Sequence, residues 1–291
     1  MIRPRRSALY VPGFNARAID KARGLAADVV ILDLEDSVAP ETKAAARAAV
    51  AQVVAARHFG AREVLIRVNG LDSHEWLDDL AMAAKAGPDG VVLPKIDAPE
   101  QIDRVAERLR DLHADRAVRI WVMIETPLAV LNIQSLAAQA GDAEMRLAGF
   151  IVGPNDLARD TRARMVPGRA PMLAWLSACV LAAHAYGVDI LDGVYNAISD
   201  AQGFAAECAQ GRDLGFDGKT LIHPSQVGPC NAAFSPTAAE VAAARRVIAA
   251  FERPENAARG AIQLDGQMVE RLHVEMARRT VAMAEAIAAK A

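Results

Sequence analysis

The sequence predicts a (β/α)8 TIM barrel, and three observations carry the prediction. Eight short apolar runs rich in β-branched residues alternate with longer Ala/Leu/Arg segments of helical period. Such alternation implies parallel strands joined by helical crossovers, and eight units in roughly 250 residues match the size of a closed barrel. A doubly wound sheet, the alternative, normally carries a glycine-rich phosphate turn after its first strand. Neither GxGxxG nor GxxxxGK[ST] occurs here.

The runs follow in order. SALYVPG (7–13), DVVILDLED (28–36), EVLIRVNG (63–70) and GVVLPK (90–95) form the first half. RIWVMIE (119–125), RLAGFIVGPND (146–156), VDILDGVY (188–195) and GKTLIHPS (218–225) form the second. Between them lie amphipathic segments such as 15–27, 40–56 and 99–113. Pro40, Pro99 and Pro127 fall where a helix begins, and a first-turn proline loses no needed hydrogen bond. No Pro/Ser-rich linker divides the barrel, which is assigned to residues 1–235. Residues 236–291 read as a C-terminal helical extension or lid: SPTAAEVAAARRVIAAFE and GQMVERLHVEMARRTVAMAEAIAAK are both helical in pattern. Between the two sits ARGAIQLDG, a short turn-bounded stretch. Such an appendage often packs on a neighbouring subunit.

Composition excludes several function classes. The chain has 291 residues, 53% hydrophobic and 24% charged, the balance of a globular enzyme. A net charge of −3 sets up no field toward nucleic acid or anionic membrane, and 4% aromatics leave little for stacking bases. No apolar run approaches the roughly 20 residues of a membrane span. In MIRPRRSALYVPGFN the apolar stretch ALYV is too short for a secretory core. Cys179, Cys208 and Cys230 form no CxxC and read as reduced, buried residues of a cytoplasmic protein.

Polar residues fall at one end of the runs. Asp33, Glu35 and Asp36 close the second, Arg67 and Asn69 the third, Lys95 the fourth, Glu125 the fifth. Asn155 and Asp156 end the sixth, Asp192 lies in the seventh and His223 ends the eighth. Active sites of such barrels are built at the C-terminal ends of the strands. Glu125 and Asp156, on adjacent strands, come to the same rim and can share one cation; with no HxH, HExxH or Cys pair, oxygen ligands favour Mg²⁺ or Mn²⁺ over zinc. The structural alternative pairs Glu125 with an arginine and makes Asp156 a helix cap. Arg67 can bind a carboxylate through two parallel charge-assisted bonds. It can equally hold Glu35 or Asp36 in a rim ion pair, and the two uses are compatible. Lys95 stands where a Schiff-base aldolase keeps its nucleophile, but neighbouring carboxylates favour its protonated form and argue against an imine. His223 is an acid–base candidate within HPS, which also reads as a simple turn. His58, His74, His113, His184 and His273 read as surface or packing residues. Arg159, Arg162, Arg164 and Arg169 read as a solvated basic face, with contact to an anionic ligand tail as the alternative. Arg3, Arg5 and Arg6 receive the same reading.

The motifs together resemble a known family. RSALYVPGFNARAIDKARGLAADVVILDLEDSV, LIRVNG, VVLPK, MIETPLAV, GPNDLARD, ILDGVY, GFDGKTLIHPSQV and GAIQLDGQMV run in order over nearly the whole chain. They are similar to the citrate lyase β-subunit-like family of the HpcH/HpaI aldolase superfamily, which includes malyl-CoA, citramalyl-CoA and citryl-CoA lyases. The resemblance implies Mg²⁺-dependent retro-Claisen cleavage of a 3-hydroxyacyl-CoA thioester into acetyl-CoA and a 2-oxo acid. It implies Glu125 and Asp156 as metal ligands, Glu125 also against substrate, and Arg67 as the carboxylate-binding residue. Asp265 of the LDG motif resembles the acid–base group lent by a neighbouring subunit, in a homotrimer or dimer of trimers. Tyr10 and Lys21 are implied near coenzyme A. Glu35, Asp36 or a bound water are the candidates for removing the hydroxyl proton. Two alternatives are an aldolase on a free hydroxy-oxo acid and a citrate lyase β subunit working only in a multi-enzyme complex. The sequence departs from the family after LDGQMV, where Glu270 and Arg271 replace an aspartate–proline pattern. It departs again after Asp156, where DTRARMVPGRAPM replaces a leucine–glycine stretch.

Overall fold

In a computed structural model that describes residues 2–256 and 258–290, eight parallel strands close into a barrel in strict sequence order. The strands are β1 (Ser7–Pro12), β2 (Val29–Asp33), β3 (Glu63–Arg67) and β4 (Gly90–Leu93), then β5 (Arg119–Ile124), β6 (Leu147–Val152), β7 (Asp189–Asp192) and β8 (Gly218–Leu221). Each of the eight runs contains one strand, and β1 pairs with β8 to close the ring. The fold is a (β/α)8 barrel.

A period of two sorts each strand's side chains between the barrel interior and the helical shell. Ala8, Val29, Ile31, Leu65, Val92, Trp121, Met123, Ile151 and Leu191 fill the interior, with Tyr10 packed against them. Residues of the opposite parity, among them Leu9, Val30, Leu32, Ile66 and Val122, join the larger core beneath the helices. Gly149 is required inside, because a Cβ there would overlap the Trp121 ring. Helices begin where the sequence says: Pro99 opens the helix Pro99–Asp111, Pro127 opens Pro127–Leu131, and Pro40 opens a 3₁₀ turn before the helix Lys43–Ala55.

Two compact units are present, one of Arg5–Phe234 and the other of the first four residues with Ser235 onward. The second unit holds the helices Ala238–Glu252 and Arg271–Ala288 and an antiparallel hairpin, β9 (Ala261–Leu264) and β10 (Gln267–Glu270). The sequence pattern put Gln267–Glu270 in the last helix, and the structure corrects this. Asp265 and Gly266 take φ of 50° and 80°, and Leu264 faces Gln267 across the turn. Positive φ at both central residues is the hairpin-forming turn that Asp-Gly favours, and it pairs AIQL with QMVE before helix can extend backward. Ile262 and Val269 then pack with Phe251 and Val274 in a small core of that unit.

Arg159, Arg162 and Arg164 are exposed as expected, whereas Arg5, Arg6 and Arg169 depart from the solvated reading. Arg5 lies over the Trp121 ring and binds Glu63 at 2.6 Å and Asp189, while Arg6 binds Asp28 at 2.7 Å. Arg169 is 3% exposed and bonds Asp192 at 2.7 and 2.9 Å. Asp192 also accepts from Lys219 at 3.0 Å, and Lys219 reaches Glu207 at 2.7 Å. These charges are withdrawn from water against carboxylate partners, and such pairing is the condition under which a buried charge is tolerated. The three cysteines are free and buried, and among the described residues no helix is long and apolar enough to cross a membrane.

Candidate active site

The C-terminal ends of the strands open into a cavity of about 380 Å³ whose lining includes Tyr10, Asp36, Arg67, Glu125, Asn155 and Asp156. Strand parity explains the gathering. Tyr10 follows Ala8 by two residues, Asp33 follows Ile31, Arg67 follows Leu65 and Glu125 follows Met123. All four therefore point inward, one layer above the apolar filling.

Arg67 is fixed from three sides. Nε and Nη2 each donate to Asp33 at 2.7 Å, Nη1 lies 2.8 Å from Glu35 Oε2 and 3.4 Å from Asp36 Oδ2, and the Tyr10 ring faces the guanidinium at 5.0 Å. The two-pronged bond expected toward a ligand is thus made to Asp33. Burial opposes the charge on Arg67, but the Asp33 bonds outweigh it and keep the group protonated. Burial likewise penalises ionised Asp33, and its bonds to Arg67 reverse that and hold its pKa below the usual value. Asp33 also accepts from the backbone N–H of Glu35 at 2.9 Å and of Ser37 at 3.2 Å, shaping the turn that carries Glu35 and Asp36. This positioning role was not evident in the sequence, where Asp33 was one of three acids in DLED. A signal existed, since each residue ends the apolar run of one of two consecutive strands; the register that makes them partners is seen in the structure.

Glu35 turns to Lys95, whose Nζ donates to Oε1 at 2.6 Å. Burial, with the Asp36 charge adding to it, raises the Glu35 pKa against the pull of Arg67 and Lys95. Burial acts against the Lys95 ammonium, yet its bond to Glu35 and the charges of Asp36 and Glu125 raise its pKa. A neutral amine for imine chemistry is correspondingly disfavoured. The Lys95 backbone, at φ 54°, donates its N–H to Glu125 Oε1 at 2.8 Å.

Glu125 is 2% exposed, and its pKa is pushed up to about 7 by burial first, then by the charges of Glu35 and Asp156. A Cβ on Gly153 would lie 2.8 Å from Glu125 Oε2 and overlap its Cβ, so this carboxylate needs glycine opposite. Asp156 sits in the first turn of the helix Pro154–Thr161 and pairs with Arg159 at 2.7 Å. No group of three or more His, Cys, Asp or Glu side chains suited to a metal occurs among the described residues. Two carboxylates, completed by water and ligand oxygens, remain an adequate set for Mg²⁺.

The other expected residues lie elsewhere. Lys21 stands exposed in the last turn of the helix Ala16–Arg23 and does not line the cavity. Asp265 belongs to the second unit, at the tip of its hairpin. His223 caps the turn Pro224–Gln226, its Nδ1 lying 2.7 Å from Ser225 Oγ.

A model of the HpcH/HpaI aldolase/citrate lyase family matches residues 6–224. The chain belongs to that family. It is therefore an enzyme of citrate lyase type. Among its relatives, a (3S)-malyl-CoA thioesterase of Cereibacter sphaeroides is 46% identical over 286 residues, 98% of this chain and 96% of the relative. The citrate lyase subunit beta of Escherichia coli is 34% identical over 288 residues, 97% of this chain and 94% of that subunit. A solved structure of the CitE protein of Mycobacterium tuberculosis, in complex with magnesium, acetoacetate and coenzyme A, is 30% identical, with a TM-score of 0.77. That match covers 96% of this chain and 97% of the other. A citrate lyase of Burkholderia xenovorans, 21% identical with a TM-score of 0.84 over 100% of this chain and 94% of its own, shares the fold.

Proposed function

We propose that this chain is a Mg²⁺-dependent carbon–carbon lyase that cleaves a 3-hydroxyacyl-CoA thioester of the malyl-, citramalyl- or citryl-CoA type into acetyl-CoA and a 2-oxo acid. The observation that carries the reading is the convergence of Arg67, Glu125 and Asp156 on one cavity at the C-terminal mouth of the barrel. Glu125 and Asp156 would hold the ion. The fit is chemical: both donors are hard oxygens, and Glu125 is a buried carboxylate whose pKa is raised first by burial and then by the charges of Glu35 and Asp156. Mg²⁺, or Mn²⁺ in its place, supplies a Lewis acid that orients the hydroxyl and carboxylate of the hydroxyacid end and makes that hydroxyl more acidic.

The chain's own groups do the rest. Arg67, locked by Asp33 and lining the cavity, would be the counter-charge for the substrate carboxylate. Asp36 lines the cavity whereas Glu35 is tied to Lys95 and Arg67, which favours Asp36 for taking the hydroxyl proton, directly or through water. Loss of that proton breaks the carbon–carbon bond, giving the 2-oxo acid and the enolate of acetyl-CoA. Asp265, lent by a neighbouring copy in a trimeric assembly, would return a proton to the enolate carbon. Tyr10 lies under Arg67 at the cavity floor, a place better suited to the acyl end than to the nucleotide, and Lys21 is the residue left for coenzyme A. The reaction suits a cytoplasmic enzyme meeting soluble CoA esters.

A second reading, hydrolysis of the same thioester, is favoured by the relative named (3S)-malyl-CoA thioesterase. The products separate the two. Purified protein should be incubated with malyl-, citramalyl- and citryl-CoA, with Mg²⁺ or with EDTA, and the products resolved by mass. Acetyl-CoA plus a 2-oxo acid supports the lyase, while free coenzyme A plus the intact hydroxyacid supports hydrolysis. Cleavage of the free acid alone would make the enzyme an aldolase, and silence on all CoA esters would point to a subunit needing partner chains.

A further inference from the structure

We infer that Arg159 is a built-in competitor of the divalent cation for Asp156, and that Asp160 sets how strongly it competes. The inference rests on the proposed reading of Glu125 and Asp156 as the ion's ligands. Three side chains of one short helix are involved. Asp156 lies in the first turn of the helix Pro154–Thr161, and Arg159 lies three residues on, the spacing at which side chains on a helix meet. Arg159 Nη1 contacts Asp156 Oδ1 at 2.7 Å, while its Nε and Nη2 donate to the two carboxylate oxygens of Asp160 at 2.7 and 3.1 Å. One guanidinium is thus shared between a carboxylate that lines the cavity and one that does not.

The distribution of bonds argues for competition over orientation. A group that orients a metal ligand is usually buried and committed to it, whereas the Arg159 side chain is 63% exposed and gives its two-pronged contact to Asp160. Arg159 is also the one ion-pair partner of Asp156 among the described residues. A dication on Asp156 would face a like charge on the same carboxylate, and Asp160 offers that charge a place to withdraw to.

The test is a titration of the purified metal-free protein with Mn²⁺ alone, following the free-ion signal by electron paramagnetic resonance at low salt, with no substrate present. Arg159→Gln should bind Mn²⁺ more tightly by about two- to five-fold, the range of an exposed ion pair. Asp160→Asn, which leaves the guanidinium only Asp156 to pair with, should bind more weakly by a similar factor. Opposite signs from two exposed neighbours are what a merely structural role would not produce. Unchanged or weaker binding in Arg159→Gln would overturn the inference, as would unchanged or tighter binding in Asp160→Asn. Asp156→Asn separates the layers: if wild type binds no Mn²⁺, or Asp156→Asn binds it as wild type does, the metal reading itself fails and the competition falls with it.

Discussion

Asp33 and Arg67 are register partners on the last rung between β2 and β3, and two parallel 2.7 Å bonds join them inside the barrel mouth. Both residues are almost fully buried, so each charge depends on the other for its solvation. Asp33→Ala should destabilise the protein by on the order of 3 kcal/mol, because it takes the two-pronged partner from a buried guanidinium and leaves Nε and Nη2 without their carboxylate. Arg67→Lys keeps the charge but cannot fill Asp33's two oxygens and reach Glu35 together; it should fold and lose roughly a hundred-fold in kcat/KM. Denaturant unfolding and steady-state kinetics check the two. Near-wild-type kinetics in Arg67→Lys would show that the fork geometry is irrelevant to catalysis.

Glu125 gives the protein a pH dependence of defined sign. Its carboxyl is raised from an ordinary 4.5 to about 7 in the folded chain, chiefly by burial. A group raised on folding contributes stability that is complete below its unfolded pKa and lost as pH rises through its folded one. The metal-free protein should therefore lose up to about 3 kcal/mol from this group between pH 4.5 and 8. Glu125→Gln should abolish turnover yet be more stable than metal-free wild type at pH 8, and the difference should shrink toward pH 5. Thermal melts of both proteins across that range, with EDTA, provide the comparison. Parallel curves would mean that the carboxylate is not strained by its surroundings.

Gly153 is the second constraint on Glu125. Gly153→Ala would place a methyl group 2.8 Å from Oε2, with the other carboxylate oxygen of Glu125 already held by the Lys95 backbone N–H. Overpacking of this kind costs about 1–3 kcal/mol, and part of the strain would be relieved by displacing the carboxylate. The expected result is at least a ten-fold weaker response to Mg²⁺ in activity titrations, with the fold retained by circular dichroism. Wild-type Mg²⁺ dependence would detach Glu125 from the ion.

The eight strands were legible in the sequence because burial on both faces forces continuous β-branched runs, and Val29–Asp33 or Glu63–Arg67 can hardly be read otherwise. The rim acids and Arg67 were legible for the same reason, as polar residues ending such runs. What stayed hidden was pairing. Arg5 finds Glu63 and Asp189, and Arg169 finds Asp192, across separations that only barrel closure brings together. The hairpin was hidden by degeneracy, since Met268, Val269 and Leu272 fit a helical stripe as well as a strand. Only the turn chemistry of Asp265-Gly266 separates the two readings.

That turn shapes the choice of variant at Asp265. The residue holds φ at 50°, a conformation that Asn tolerates and Ala does not, so Asp265→Ala would confuse loss of the carboxylate with loss of the hairpin. Asp265→Asn keeps the turn and removes only the proton-carrying group. If Asp265 protonates the enolate, this variant should lose about 10²- to 10⁴-fold in kcat. It should bind Mn²⁺ as wild type does and melt at the same temperature. In heavy water it should also slow deuterium entry into the methyl group of acetyl-CoA. Wild-type turnover with wild-type deuterium entry would assign the proton to another residue and leave the hairpin a structural element.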